Sequence, residues 1–149
     1  MEIKEVTELE SFLQDRVKEA VFLSDKAFSH YYNYNVAAVI VDEDGGIFRG
    51  VNWEPANGAT VCAEVGALSS YMLSNKKKMK YVITYGTPKS GDKRDDVFCL
   101  PCGSCRQRLI DFCLPDTIFI GVSESGNKVQ VMSIDELLPH AFSSKNLEN

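Results

Sequence analysis

Histidine is almost missing from this 149-residue chain. Only His30 and His140 occur, and neither stands in a motif, so a metal or catalytic cluster built on imidazole is not expected. Long apolar runs are also lacking. The longest, Val36 to Val41, falls far short of the ~20 residues that a membrane-spanning helix needs. Nor is there an excess of positive charge: 16 Lys and Arg against 21 Asp and Glu leave a net charge of −5. Such a chain has no general attraction for phosphate backbones or anionic membranes, so neither nucleic acid nor membrane is expected as a partner. The segment Met1 to Glu10 holds four Glu and one Lys, the wrong sign for a secretory leader. Internal repeats, low-complexity tracts and Pro-, Gly- or Ser-rich linkers are absent as well. These absences leave one soluble, cytoplasmic globular domain over residues 1–149, and 44% hydrophobic with 25% charged residues suits that class.

Cysteine, by contrast, is conspicuous. Cys62, Cys99, Cys102, Cys105 and Cys113 are five, an odd number crowded into the middle third of the chain. A secreted disulfide scaffold is shorter, richer in cysteine and usually even in count. Spacings of three point instead to a metal site in a reducing compartment.

A pass along the chain predicts alternating elements. Thr7 with Glu10 has the form of a capping box, and Leu9, Phe12, Leu13, Val17, Ala20 and Val21 follow as an apolar stripe at helical spacing. Asn35 to Val41 reads as a strand, Asp44-Gly45-Gly46 as a hairpin turn, and Ile47 to Trp53 as its partner. Val61 to Ser74 predicts a second helix with Leu68 and Met72 on one side. Lys80 to Tyr85 follows as a strand, and Cys102 to Leu114 as a third helix with Leu109, Ile110 and Cys113 turned inward. Thr117 to Val122 and Lys128 to Met132 are strands joined through Ser125-Gly126-Asn127, and Ser133 with Glu136 caps a short last helix. Pro88 to Asp96 is a polar excursion, read as a surface loop that could cover a site mouth. The expected fold class is α/β, a three-layer α-β-α sandwich with one mixed sheet and helices on both faces.

Chemistry concentrates at two helix starts, Cys62-Ala63-Glu64 and Pro101-Cys102-Gly103-Ser104-Cys105. Thiolate is the metal-binding form of cysteine, and a helix N-terminus favours its negative charge. Cys102 and Cys105, three apart, share a helical face and can grip one ion, with Cys62 as a third ligand. Three protein ligands with an open fourth position mark catalytic rather than structural zinc. Glu64 is badly placed to ligate the same ion but can reach the open position as a proton carrier. Cys99 adds a Cys-x-x-Cys-x-x-Cys run, so a four-thiolate zinc or an iron–sulfur cluster is a rival reading; it leaves Glu64 and Pro101 without a role. Cys113 reads as core, and Lys76-Lys77-Lys78 with Lys80 as a solvated helix end.

Cys-x-Glu followed by Pro-Cys-x-x-Cys is the pattern of zinc deaminases. Thr60 to Glu64 and Pro101 to Gln107 resemble the small homotetrameric cytidine deaminases. So do Tyr34-Asn35-Val36-Ala37-Ala38, Asn52-Trp53-Glu54 and Glu136-Leu137-Leu138-Pro139-His140-Ala141-Phe142, all in the family's order. The resemblance implies Zn2+ held by Cys62, Cys102 and Cys105, one ion per subunit, and hydrolysis at C4 of a cytosine nucleoside with Glu64 moving protons. It implies a pyrimidine-salvage enzyme that converts cytidine and deoxycytidine to the uridine products and ammonia. It further implies that Tyr34 stacks on the base, that backbone near Ala63 and Cys102 reads its polar edge, and that Asn52 and Glu54 hold ribose hydroxyls. Phe142 would reach a neighbouring subunit's site, so a homo-oligomer, a tetramer, is expected.

Three departures from the family pattern stand out. Val65 occupies a position where many relatives carry Arg. Zinc with three thiolates has a formal charge of −1, and the helix dipoles, N–H···S contacts and Arg106 are left to offset it. Introducing Arg at Val65 is accordingly expected to change the pH–rate profile. The stretch from Glu54 to Cys62 is shorter than usual, and the related blasticidin S deaminases are shorter still here, which makes a cytosine-nucleoside antibiotic the alternative substrate. The excursion at Pro88 to Asp96 is the third. Two further classes remain distinct: a polynucleotide deaminase, which the lysine run would serve, and a zinc-stapled binding module, which would keep its function if Glu64 became Gln.

Overall fold

Along the central strand β2 (Tyr34–Asp42), Ala37, Val39 and Val41 point to one side and Ala38 and Ile40 to the other. All five are buried, so helices must cover both faces of the sheet. The computed structural model describes residues 1–148 and shows this arrangement. Six strands lie in the order β1-β6-β5-β4-β2-β3, with β1 (Glu2–Glu5), β3 (Ile47–Val51), β4 (Met79–Pro88), β5 (Cys113–Val122) and β6 (Lys128–Ser133) around β2. Only β4 and β5 run parallel; the other neighbours are antiparallel.

On one face α1 (Ser11–Ser24) buries Leu13, Val17 and Ala20 against Val39, Ile83, Ile120 and Val122. On the other, α2 (Ala63–Met72), α3 (Gly103–Leu109) and α4 (Ile134–Leu137) set Ala67, Leu68, Tyr71, Leu109 and Leu137 against Ala38, Ile40, Val82 and Phe119. A mixed sheet between two helical layers is the three-layer α/β class the sequence predicts. Full burial of one large apolar side chain stabilises by ~1.5–3 kcal/mol, so the layers rest on many such contacts rather than on one. The hairpin forms as expected: Asp42 Oδ1 accepts from the Asp44 and Gly46 N–H groups at 3.0 and 2.7 Å, and Gly45 takes a φ of +84°. Ser133 and Glu136 cap α4 reciprocally.

Four local expectations change. No capping box joins Thr7 and Glu10; Glu5 and Glu8 form one around a 3-10 turn at Val6–Glu8. The cause is β1, which the sequence reading lacks: it pairs with β6, Glu2 opposite Val131, and delays the helix to Ser11. The helix expected to reach Leu114 ends at Leu109, and after a 3-10 turn Cys113 opens β5. Leu114 precedes Pro115, and proline disfavours helical dihedrals in the residue before it. Cys113 is therefore a half-buried strand residue whose thiol donates to the Leu109 carbonyl at 3.3 Å. Finally, Met72 at the end of α2 is exposed while Leu68 is buried.

Candidate active site and metal centre

The connections β3–α2 and β4–α3 converge at one end of the sheet. Each delivers a cysteine to a helix start: Cys62 is the N-cap of α2 and Cys102 of α3, both with extended backbone. Neither side chain caps its own helix, so both thiols are free to point outward together. Cys105, one turn into α3, is fully buried. The three Sγ atoms lie within 4.8 Å of one another, and Cys62 and Cys102 are 3.9 Å apart. A tetrahedral zinc with Zn–S bonds of ~2.3 Å sets sulfurs about 3.8 Å apart, so the donor set fits one such ion. Among the described residues no other His, Cys, Asp or Glu joins this group. Cys99 lies outside it, against the four-ligand reading.

Protonation at the site follows burial. Desolvation lifts the Cys105 thiol far above the ordinary range, helped by the charges of Glu64 and the other thiols. Cys62 is raised too, by burial first and then by Glu64. At Cys102 burial pushes the same way, but hydrogen bonds from the Cys105 backbone and the neighbouring thiols outweigh it, and its pKa falls. Metal uptake must therefore expel protons from Cys62 and Cys105. Glu64 sits in the first turn of α2, buried, and burial raises its carboxyl against the smaller pull of its own N–H and the Cys105 thiol.

The other predicted site residues have the following places in the fold. Tyr34 starts β2, and its ring lies over Gly86 beside Cys99; a Cβ on Gly86 would come within 2.7 Å of both the Cys99 Sγ and Tyr34 Cε1. Burial raises the Tyr34 hydroxyl above the usual phenol range. Asn52 Oδ1 accepts from the Val36 N–H at 2.7 Å, and its Nδ2 donates to the Tyr34 carbonyl at 2.9 Å. Glu54 is buried, and its Oε2 accepts from the N–H groups of Tyr31 and Tyr32 at 2.7 and 3.1 Å. Ala63 opens α2 between Cys62 and Glu64. Phe142 is exposed, with its carbonyl accepting from Gln107 Nε2 at 2.7 Å.

The polar excursion begins where Pro88 pairs with Tyr34. It is anchored to the β5–β6 connection: Glu124 Oε2 accepts from the Arg94 N–H, and Ser125 N–H donates to the Arg94 carbonyl. The Arg106 guanidinium donates to the carbonyls of Pro101 and Leu137. Sequence reasoning missed those two bonds, and also the backbone partners of Asn52 and Glu54. It missed Gly50 and Gly66 as well, where β3 meets α2 without side chains between them.

Residues 10–121 match the family model for the cytidine and deoxycytidylate deaminase zinc-binding region. The chain belongs to this deaminase family. A cytidine deaminase from Mycoplasma genitalium is 32% identical over 127 residues, covering 85% of this chain and 92% of that one. One from Halalkalibacterium halodurans is 29% identical over 135 residues, covering 89% and 96%. The crystal structure of cytidine deaminase from Burkholderia pseudomallei superposes with a TM-score of 0.75 at 28% identity, over 90% of this chain and all of that chain. Membership and geometry agree on the cofactor: this deaminase is zinc-dependent, with Cys62, Cys102 and Cys105 as the group able to hold the ion. Among the described residues no helix is long and apolar enough to cross a membrane.

Proposed function

We propose that this chain hydrolyses cytidine and deoxycytidine to uridine and deoxyuridine, releasing ammonia, as part of cytoplasmic pyrimidine salvage. The observation that carries the reading is a buried Glu64 two residues after Cys62, beside three thiols that could hold one ion between them. Zinc, when bound, supplies Lewis acidity that lowers the pKa of a water from ~15.7 toward ~7. Glu64 takes the first proton of the attacking water and delivers it to N3 as the water oxygen bonds C4. It then carries the proton of the new C4 hydroxyl to the amino group; the C4–N bond breaks, ammonia leaves and Glu64 is regenerated. A carboxyl lifted by burial suits that shuttle, because a proton carrier works best with a pKa near the operating pH.

Substrate positioning follows from the surrounding side chains. Tyr34 offers its ring to the base, and backbone at Ala63 and Cys102 meets the polar edge of the pyrimidine. Asn52 and Glu54 take the ribose hydroxyls. Their bonds to the backbone of Tyr34, Val36, Tyr31 and Tyr32 support this role, since a side chain already fixed loses little entropy on binding. Phe142, exposed and tethered through its carbonyl, fits a contact with a neighbouring copy's site, and the working assembly is a homotetramer. Light scattering on the zinc-loaded protein tests that assembly; a monomer would remove Phe142 from the site.

The deciding experiment follows the ultraviolet absorbance of cytidine with zinc-loaded protein, with chelator, and after zinc is restored. Loss of cytidine that stops with chelator and resumes with zinc is expected. Zinc-loaded protein that leaves cytidine and deoxycytidine intact but consumes blasticidin S would move the assignment to antibiotic deamination.

A further inference from the structure

Consecutive residues of α3, Arg106 and Gln107, reach in two directions that the deamination chemistry does not explain. The backbone N–H of Arg106 donates to the Cys102 carbonyl at 3.0 Å, and its Nε donates to the Pro101 carbonyl at 2.7 Å. The first is the ordinary helical bond, so the side chain itself fixes the peptide carbonyl that immediately precedes Cys102. Its other arm, Nη1, donates to the Leu137 carbonyl at 2.9 Å, at the C-terminal end of α4. Gln107 holds the Phe142 carbonyl at 2.7 Å, and Asp111 Oδ1 accepts from the Ser144 N–H at 2.7 Å. Leu137 and Leu138 pack on the core beside these tethers. The segment lines one side of an open groove of about 610 Å³, with Ile110 and Cys113 on the other. Hydrogen bonds to α3 and the following turn hold the segment beyond Leu138, in addition to that packing.

We propose that Arg106, with Gln107, is a clasp that makes the C-terminal segment and the Cys102–Cys105 ligand loop one mechanical unit, so that this segment governs how tightly zinc is retained. A planar guanidinium can donate to two carbonyls at once in a fixed fork, which an ammonium on a flexible stem cannot reproduce. Arg106 is a positioning residue here: it acts through Pro101 and Cys102 and not on substrate. Groups that orient metal ligands typically contribute 10–100-fold to metal affinity. The inference rests on the zinc-site reading above but not on the identity of the substrate.

The test measures zinc release from the full-length zinc-loaded chain into a chromophoric chelator. Arg106→Met and Arg106→Lys are each expected to release zinc roughly tenfold faster than the parent, in line with that range. Gln107→Ala, an exposed change that leaves Arg106 in place, is expected to give a smaller acceleration. Parental release from Arg106→Lys would overturn the clasp, because it would show that charge alone suffices. Parental release from Gln107→Ala would overturn the link to the C-terminal segment, even if Arg106 mattered. Should Arg106→Met fail to fold, the lysine and alanine variants carry the test. Protein that holds no zinc at all would instead strike at the metal-site reading, which keeps the two failures apart.

Discussion

Glu64 is where stability and chemistry conflict. Its carboxyl is buried and its ionised form is disfavoured there, chiefly by desolvation. A carboxyl whose folded pKa is raised binds more protons folded than unfolded, so its penalty is absent below the unfolded value and grows as pH rises toward the folded one. In zinc-free protein, Glu64→Gln should therefore raise the melting temperature at pH 7, with the gain shrinking as the pH is lowered toward the ordinary carboxylate range. Equal melting temperatures at pH 7 would contradict this. In zinc-loaded protein the same substitution should lower turnover of cytidine by at least ~10²–10⁴-fold while metal analysis still finds one zinc per chain. A binding module would tolerate the change. The thiols carry a related expectation: with Cys62 and Cys105 raised by burial, zinc uptake should release protons and weaken as pH falls, which a pH-indicator titration reads directly.

At the level of elements, α2 carries Cys62 and Glu64, and its seat on β3 decides where both sit. That seat is backbone against backbone. A Cβ on Gly50 would overlap the Ala63 carbonyl and the Ala67 nitrogen, and one on Gly66 would come within 3.2 Å of the Gly50 Cα. Rigid backbone cannot give way as a side-chain tip can, so Gly50→Ala must lift α2 off the sheet. Overpacking of this kind costs ~1–3 kcal/mol. A lower urea midpoint with reduced zinc content is the expected result, and an unchanged midpoint would refute the close seat. Nothing in the sequence distinguishes Gly50 from a turn glycine, because its neighbour across the interface is residue 66. The same reason hides β1, whose partner β6 lies more than a hundred residues away. What could be read early was local: the apolar stripe of α1, the Asp44–Gly46 turn, and the two cysteines at helix starts. Pro115 was a local signal too, and it marks why the third helix stops early. Asn52 and Glu54 were legible as candidate ligands, yet their grip on Tyr31, Tyr32, Tyr34 and Val36 exists only once α1, β2 and β3 come together.

At the scale of the whole molecule, charge decides which cytosine the site can meet. A deaminase acting on polynucleotides must flip a base out of a strand and hold the flanking phosphates along a basic groove with stacking aromatics. The lysine run at residues 76–78 is the best candidate the sequence offers for such a groove, and its side chains have partners within the fold. Lys77 Nζ lies 3.9 Å from Asp44, Lys78 Nζ donates to the Asp111 carbonyl at 2.7 Å, and Lys76 Nζ reaches the Ser74 carbonyl at 3.5 Å. These residues follow the C-terminal end of α2, whereas the ligand thiols stand at its N-terminal end and at the start of α3. A strand bound at the lysines would thus have to run the length of α2 to present a base to Glu64. The net charge of −5 opposes that approach over its whole course. Gel-shift titration of the zinc-loaded protein with single-stranded DNA and RNA should accordingly show no complex, even at ~50 mM salt where phosphate contacts are strongest. A retarded band that fades as salt is raised would establish a phosphate-binding surface, and cytosine within a strand would then compete with the free nucleoside for the same Glu64.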